Sequence, residues 1–356
     1  MNELETIIRN KILEKGSIPF RDFMELALYY PGLGYYERGD NPFGKTGDFY
    51  TAPGVHPVFG HTLARDFYAK WKELGCVSPF ILVEFGAGQG TLAKDILNGI
   101  RLFAPDLFSV LEYRIFEKSS YLRGVQREVL ADQPVTWCSA SEHMGQFPGI
   151  ILSNEVIDAA PVHLIVQDSE PQEVYVGEQN GQFVERLGPL SNERIHRYLR
   201  EYVSPLTPGQ RVEVNLHALE WLVEATEFLQ NGYIVTIDYG DETEILYEGR
   251  LNGTLRGFRQ HQLQTNVLAS PGELDITCDV NFTALLKYGE SLGMETAFFG
   301  TQGKFLTQAG IFEFLSNESA FDPFSEGVKR NMAIKHLIMP GGMGERFKVL
   351  VQRKYG

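Results

Sequence analysis

From Asn2 to Tyr30, apolar residues recur at helical intervals, first Ile7, Ile8, Ile12 and Leu13, then Phe23, Met24, Leu26 and Ala27, until Pro31 and Gly32 end the pattern. Tyr29 to Ala52 is dense in glycine, aromatic and turn residues without periodicity, which predicts a long ordered loop of the kind that usually carries function. Beyond it, short apolar runs predict strands at Phe80–Phe85, Tyr113–Phe116, Val135–Cys138 and Gly149–Leu152, and amphipathic spacing predicts helices at Thr91–Phe103 and Leu122–Leu130. Near-continuous apolar strands separated by amphipathic helices imply a mostly parallel sheet covered on both faces, a doubly wound α/β domain.

The alternation breaks after Pro161. Val162–Gln167, Glu173–Val176 and Gln182–Arg186 read as a small meander, with a helix at Ile195–Tyr202, so 162–216 is expected to be an inserted α+β subdomain. Regular α/β pattern returns with a helix at His217–Leu229 and a buried strand at Tyr233–Asp238. Tyr239 to Gly272 is polar and expected to be mostly loop, followed by a helix at Phe282–Leu292 and strands at Glu295–Phe299 and Phe347–Arg353. The expected division is N-terminal helices and loop over 1–79, a core of 80–161 with 217–356, the insert at 162–216, and a loop insertion at 240–280.

Composition adds mainly exclusions. The 356 residues are 43% hydrophobic and carry a formal charge of −14, which suits a globular chain and disfavours broad docking onto nucleic acid or anionic lipid. Cys76, Cys138 and Cys278 make no disulfide framework and no metal knuckle, and the opening residues lack the apolar core of a secretory signal. A reducing cytosolic compartment is the expectation. His56 and His61 lack a zinc-binding frame, the three tryptophans read as core packing, and neither a nucleophile-elbow serine nor a phosphate-loop lysine pattern occurs.

The sharpest chemical signal is Glu84-Phe85-Gly86-Ala87-Gly88-Gln89-Gly90-Thr91, between an apolar strand and a helix. The glycines permit a tight turn and a close ligand approach, and amides at the helix start are left to donate. A dinucleotide turn would place its third glycine where Thr91 stands. Glu117 ends the next strand, where a carboxylate can bond both hydroxyls of a ribose, so a nucleoside pocket with no required phosphate fits better. S-adenosylmethionine (SAM) suits it more than a nicotinamide dinucleotide. Strand–glycine–helix corners also arise for packing alone, and a strand-end acid can be simply solvated. Past the fourth strand come Asn154, Glu155 and Asp158; the two acids share a side if this turn is helical, and they could instead complement a helix dipole.

Over nearly its whole length the chain resembles the MidA-like family of SAM-dependent methyltransferases. The resemblance rests on Tyr30-Pro31-Gly32-Leu33-Gly34-Tyr35-Tyr36, Gly47-Asp48-Phe49-Tyr50-Thr51, the Glu84–Gly90 turn, and Asn154-Glu155 with Asp158 and Pro161. It continues through Ile237-Asp238-Tyr239-Gly240, Leu255 to His261, and Pro271-Gly272 with Asp275-Ile276-Thr277. It implies a class I, Rossmann-like fold with SAM as cofactor, held at Glu84, Gly86, Ala87, Gly88 and Gly90, and Glu117 on the ribose. It further implies a lid-like loop of Gly47, Asp48, Phe49 and Thr51, and Asn154 near the transferable methyl. Mitochondrial members of the family methylate an arginine of a respiratory complex I subunit, so the implied partner is a protein substrate. Where relatives commonly carry Ser-Pro-Glu and Phe-Gly-Glu, this chain has Ala52-Pro53-Gly54 and Phe59-Gly60-His61.

An arginine acceptor sets a condition. Removing its proton beforehand at neutral pH costs about 7.5 kcal/mol, so guanidinium must bind as the cation and lose the proton as the new bond forms. Carboxylates suit both tasks. Glu155 and Asp158 are the leading candidates, Asp48 and Asp275 the alternatives. His261 could serve as a general base for a neutral acceptor, but bonding loop backbone is the favoured reading, and Arg256 and Arg259 are expected to pin the loop to Asp275 or Asp279.

Overall fold

The computed structural model describes residues 2–39, 56–138, 145–203, 205–259, 262–317 and 325–356. The chain divides into two units, one from 50–156, 223–239 and 289–356, the other from 1–49, 157–222 and 240–288.

The first unit is built on seven strands of an eight-stranded sheet, whose eighth, Val280–Asn281, pairs with Gly240 and Asp241: β1 (Phe80–Phe85), β2 (Leu111–Phe116), β3 (Val135–Cys138), β4 (Phe147–Asn154), β5 (Leu229–Asp241), β6 (Glu295–Thr301) and β7 (Phe347–Lys354). Their spatial order is β6-β7-β5-β4-β1-β2-β3, with β7 antiparallel to both neighbours and β1 to β5 parallel. β1 is buried along its full length, as its unbroken apolar run predicts. Successive crossovers run away from β1 on opposite sides, so the switch point of the sheet lies between β1 and β4, where doubly wound folds bind ligands. Register levels the strand ends there: Phe85 faces Phe116 and Ser153, and Asn154 faces Ile237. Helices α1 (Val58–Glu73), α2 (Thr91–Phe103) and α3 (Ser120–Val129) belong to this unit. α1 lies so close to α2 that a Cβ on Gly60 would fall 2.5 Å from Asp95 Cβ. Val58, Phe59, Leu63, Phe67 and Trp71, all buried, recur at helical spacing and form the inner face of α1.

In the second unit, Glu3–Lys15 and Phe20–Tyr29 are helices, and the intervening Ile18–Pro19 pairs with the strand Pro171–Gln179. That strand also pairs with His163–Gln167 and Gln182–Gly188, the antiparallel meander expected from sequence. Ile8, Ile12, Phe20, Phe23, Val162, Leu164, Val174 and Val176 form one core, so the N-terminal helices join the insert rather than standing with the region up to residue 79. The expected 240–280 loop is also corrected. It contains a helix at Thr243–Tyr247 and strands Arg256–Arg259 and Gln262–Gln264, which with Asp275–Thr277 make a three-stranded antiparallel sheet. Polar composition hid these strands because their pairing partner lies beyond the run itself.

Glu213 anchors that segment. Its buried carboxylate accepts from Thr254 N at 2.8 Å, Leu255 N at 3.0 Å and Thr254 Oγ1 at 3.0 Å. Glu213→Ala leaves these donors without their acceptor, and the expected loss in denaturant unfolding is about 3 kcal/mol. An unchanged midpoint would show that the segment is held elsewhere.

Candidate active site

Gly86, Gly88 and Gly90 take φ of +61°, +52° and +83°, a left-handed run that side chains disfavour. Gly86 N still donates to Phe116 O at 2.9 Å, so the turn stays attached to the sheet before it enters α2. Gly90 is the N-cap of α2 and brings no side chain to it, and the first turn of the helix holds no acid. The positive end of α2 lies past the carboxyl end of β1 with no acid in its own first turn. Ala87 is buried beneath the turn.

Glu84, two residues before the first glycine, is 2% exposed and accepts from Tyr113 Oη at 2.7 Å. Burial pushes its carboxyl up to about 7; the Tyr113 hydrogen bond opposes this and the charge of Glu117 adds to it. Because the folded value lies above the ordinary 4.5, the folded chain keeps a proton that the unfolded chain releases between those values. The stability from this group is thus complete at the acid side of the window and is lost as pH rises through it. Glu84→Gln should remove this slope, gaining on the native protein by the order of 3 kcal/mol from pH 4.5 to 7.5 in thermal unfolding. Parallel curves would assign the proton to another group.

Glu117 is buried at the end of β2. Its Oε1 accepts from Ser119 N at 3.0 Å and its Oε2 from Gln126 Nε2 at 3.0 Å. Gln126 also donates to Gly88 O at 2.8 Å and accepts from Trp137 Nε1 at 2.9 Å. Neither Gln126 nor Trp137 was a sequence candidate, Trp137 being read as core packing. Only the spacing of Gln126 on the inner face of α3 could have suggested it.

The chain after β4 does not turn into a helix. Glu155 has φ +53°, its N–H bonds Ile237 O at 3.0 Å, and Val156 N donates to the Asp238 carboxylate at 3.3 Å. A left-handed residue is incompatible with a helical first turn, so the expected sharing of one side by Glu155 and Asp158 is corrected. Asp238 is fully buried at the end of β5 and also accepts from Tyr239 N at 2.9 Å. Asn154 Nδ2 lies 3.3 Å from Glu155 Oε1. Asn154 Oδ1 and Ser153 Oγ are buried and take no hydrogen bond from the described residues.

Asp158 falls in the second unit. Burial raises its carboxyl to about 6 while the Arg256 guanidinium pulls it back. Asp275 accepts from Tyr36 Oη at 2.7 Å, and Tyr36 stacks on Tyr29 with ring centroids 5.5 Å apart. Arg256 pairs with Asp279, as expected, whereas Arg259 pairs with Glu273 at 2.8 Å instead of Asp275 or Asp279. The candidates thus form two groups, Glu84 to Gly90 with Glu117, Asn154 and Glu155 in one unit, and Asp158 with Asp275 in the other. Gly47, Asp48, Phe49 and Thr51, Ala52 and Gly54, and His261 lie outside the described residues. His61 packs its ring against Phe103 at 5.8 Å and Phe314 at 6.1 Å. Among the described residues no cluster of His, Cys, Asp and Glu is arranged for a metal, and no helix is long and apolar enough to cross a membrane.

An adenosyl ligand fits this end of the first unit. The start of α2, the left-handed glycines, the acid held after β2 and Asn154 Oδ1, which takes no hydrogen bond from the described residues, would offer it a donor edge, close approach, a hydroxyl acceptor and a polar contact. The fold and the strand order are those of class I methyltransferases. Residues 62–300 match the family model described as "Putative S-adenosyl-L-methionine-dependent methyltransferase", and the chain belongs to that family.

The chain is 30% identical, over 96% of its length and 83% of the other protein, to "Protein arginine methyltransferase NDUFAF7 homolog, mitochondrial" of Drosophila melanogaster. It is likewise 30% identical to "Protein arginine methyltransferase NDUFAF7, mitochondrial" of Danio rerio, over 96% of this chain and 84% of that one. A crystal structure from Burkholderia thailandensis, bound to S-adenosyl-homocysteine, matches with a TM-score of 0.90 and 31% identity over 99% of this chain and 92% of that chain. SAM is therefore the cofactor of this methyltransferase, and the nicotinamide alternative falls away.

Proposed function

We propose that the chain transfers the methyl group to a guanidinium nitrogen of an arginine in a protein substrate. The observation that carries this reading is the near full-length match to relatives named protein arginine methyltransferases. SAM supplies an electrophilic methyl on a positive sulfonium, and the chain's own residues bind, orient and compensate charge. Gly86, Gly88, Gly90 and the start of α2 are assigned to the cofactor, with Glu84 and Ala87 shaping the turn and Glu117 taking the ribose hydroxyls.

Asn154 Oδ1 is assigned to accept a hydrogen bond at the reacting end. Glu155 is assigned to pair with the guanidinium and to hold its positive charge beside the sulfonium until the proton leaves. Asp158 and Asp275 belong to the other unit, beside Arg256 and Tyr36, whereas Glu155 follows Asn154 in the unit that carries the glycine turn, so the assignment is made to Glu155. A respiratory-complex subunit as substrate, and a reducing cytosolic compartment, are carried by resemblance and cysteine usage respectively. The test is incubation with methyl-labelled SAM and proteins of the source cell, followed by mass spectrometry of the labelled band. Methyl-arginine is the expected product; label on another residue, or none despite cofactor binding, overturns the reading.

A further inference from the structure

Gln126 is fully buried, and both ends of its amide are engaged. Nε2 donates to Gly88 O and to Glu117 Oε2, at 2.8 and 3.0 Å, and Oε1 accepts from Trp137 Nε1 at 2.9 Å. The opposite rotation of the amide would set Oε1 against two acceptors and Nε2 against a donor, so its partners dictate its orientation. One side chain on α3 thereby ties together the glycine turn after β1, the acid after β2 and the indole on β3.

Carboxylate torsions are broad, so an acid at a strand end swings unless something holds it. Ser119 N and Gln126 Nε2 hold one carboxylate oxygen each, which fixes the plane of the acid. Resting on the reading of Glu117 as the ribose acid, we infer that Gln126 is a positioning residue. It fixes Glu117 and Gly88 relative to each other, it is itself fixed by Trp137, and it thereby sets the enzyme's selectivity for a ribose carrying both hydroxyls. The inference concerns ligand recognition, and its readout needs no turnover.

The experiment is calorimetric titration of the full chain with S-adenosyl-homocysteine and with its 2′,3′-dideoxy analogue. Gln126→Met is expected to weaken the first about 10- to 100-fold and the second less than about threefold, collapsing the selectivity. Trp137→Phe keeps a ring but releases the amide, so it should erode selectivity in the same direction by about threefold. If Gln126→Met does not fold, judged by thermal unfolding, Trp137→Phe carries the test. The double variant Gln126→Met/Glu117→Ala should bind within about threefold of Glu117→Ala alone, because Gln126 acts through that acid. Equal weakening toward both ligands, or losses that multiply in the double variant, overturn the inference while leaving Glu117 on the ribose. A native protein that binds both ligands equally overturns the ribose reading and the inference with it.

Discussion

Valine in place of Gly88 raises the dissociation constant for S-adenosyl-homocysteine about 100-fold or more in calorimetry. Gly88 has φ +52°, and a branched side chain in the left-handed region costs about 1–2 kcal/mol before it meets any neighbour. Relaxing that strain moves Gly88 O, which accepts the Gln126 amide, and so disturbs the support of Glu117 as well. The added bulk also enters the close approach that the turn offers a ligand. Gly88→Ala separates the contributions, since it brings the backbone strain with little bulk and should lose affinity to a smaller extent. Undiminished binding by the valine variant would remove the cofactor from this turn.

Glu155→Gln should lower kcat by about 100- to 1000-fold and leave S-adenosyl-homocysteine affinity within about threefold. Glutamine has the same shape and meets the same backbone, so the strain at φ +53° is unchanged and only the negative charge is lost. Strain of this kind is maintained only where surroundings insist on it, here the Ile237 carbonyl and the Asp238 carboxylate that hold the two amides after Asn154. On the proposed reading, loss of the charge would leave the acceptor guanidinium uncompensated near the cofactor's positive sulfonium and would take away the anion that receives its proton. A fully active glutamine variant would transfer the role to another acid, and Asp158→Asn is then the informative comparison.

Much of the fold was legible because its signals are local. Phe80–Phe85 is a strand and Thr91–Phe103 a helix at the residues the pattern indicated, since an unbroken apolar run and a 3.6-residue period each suit one backbone geometry. The glycine turn was legible for the same reason, as three left-handed residues in five positions are demanding of glycine. The strands within 240–280 were not, because Arg256–Arg259 and Gln262–Gln264 owe their pairing to Asp275–Thr277 and to the Glu213 carboxylate more than to their own apolarity.

The sequence by itself determined the doubly wound pattern, the turn after the first core strand, and the acids at strand ends, because each follows from near-neighbour periodicity or from what glycine alone tolerates. Tertiary structure alone decided that Gln126 and Trp137 secure Glu117, and that Glu155 leaves the helical region while Asp158 answers to Arg256. Residues distant in the chain make those contacts only once register and helix packing bring them together, and no local pattern encodes such meetings.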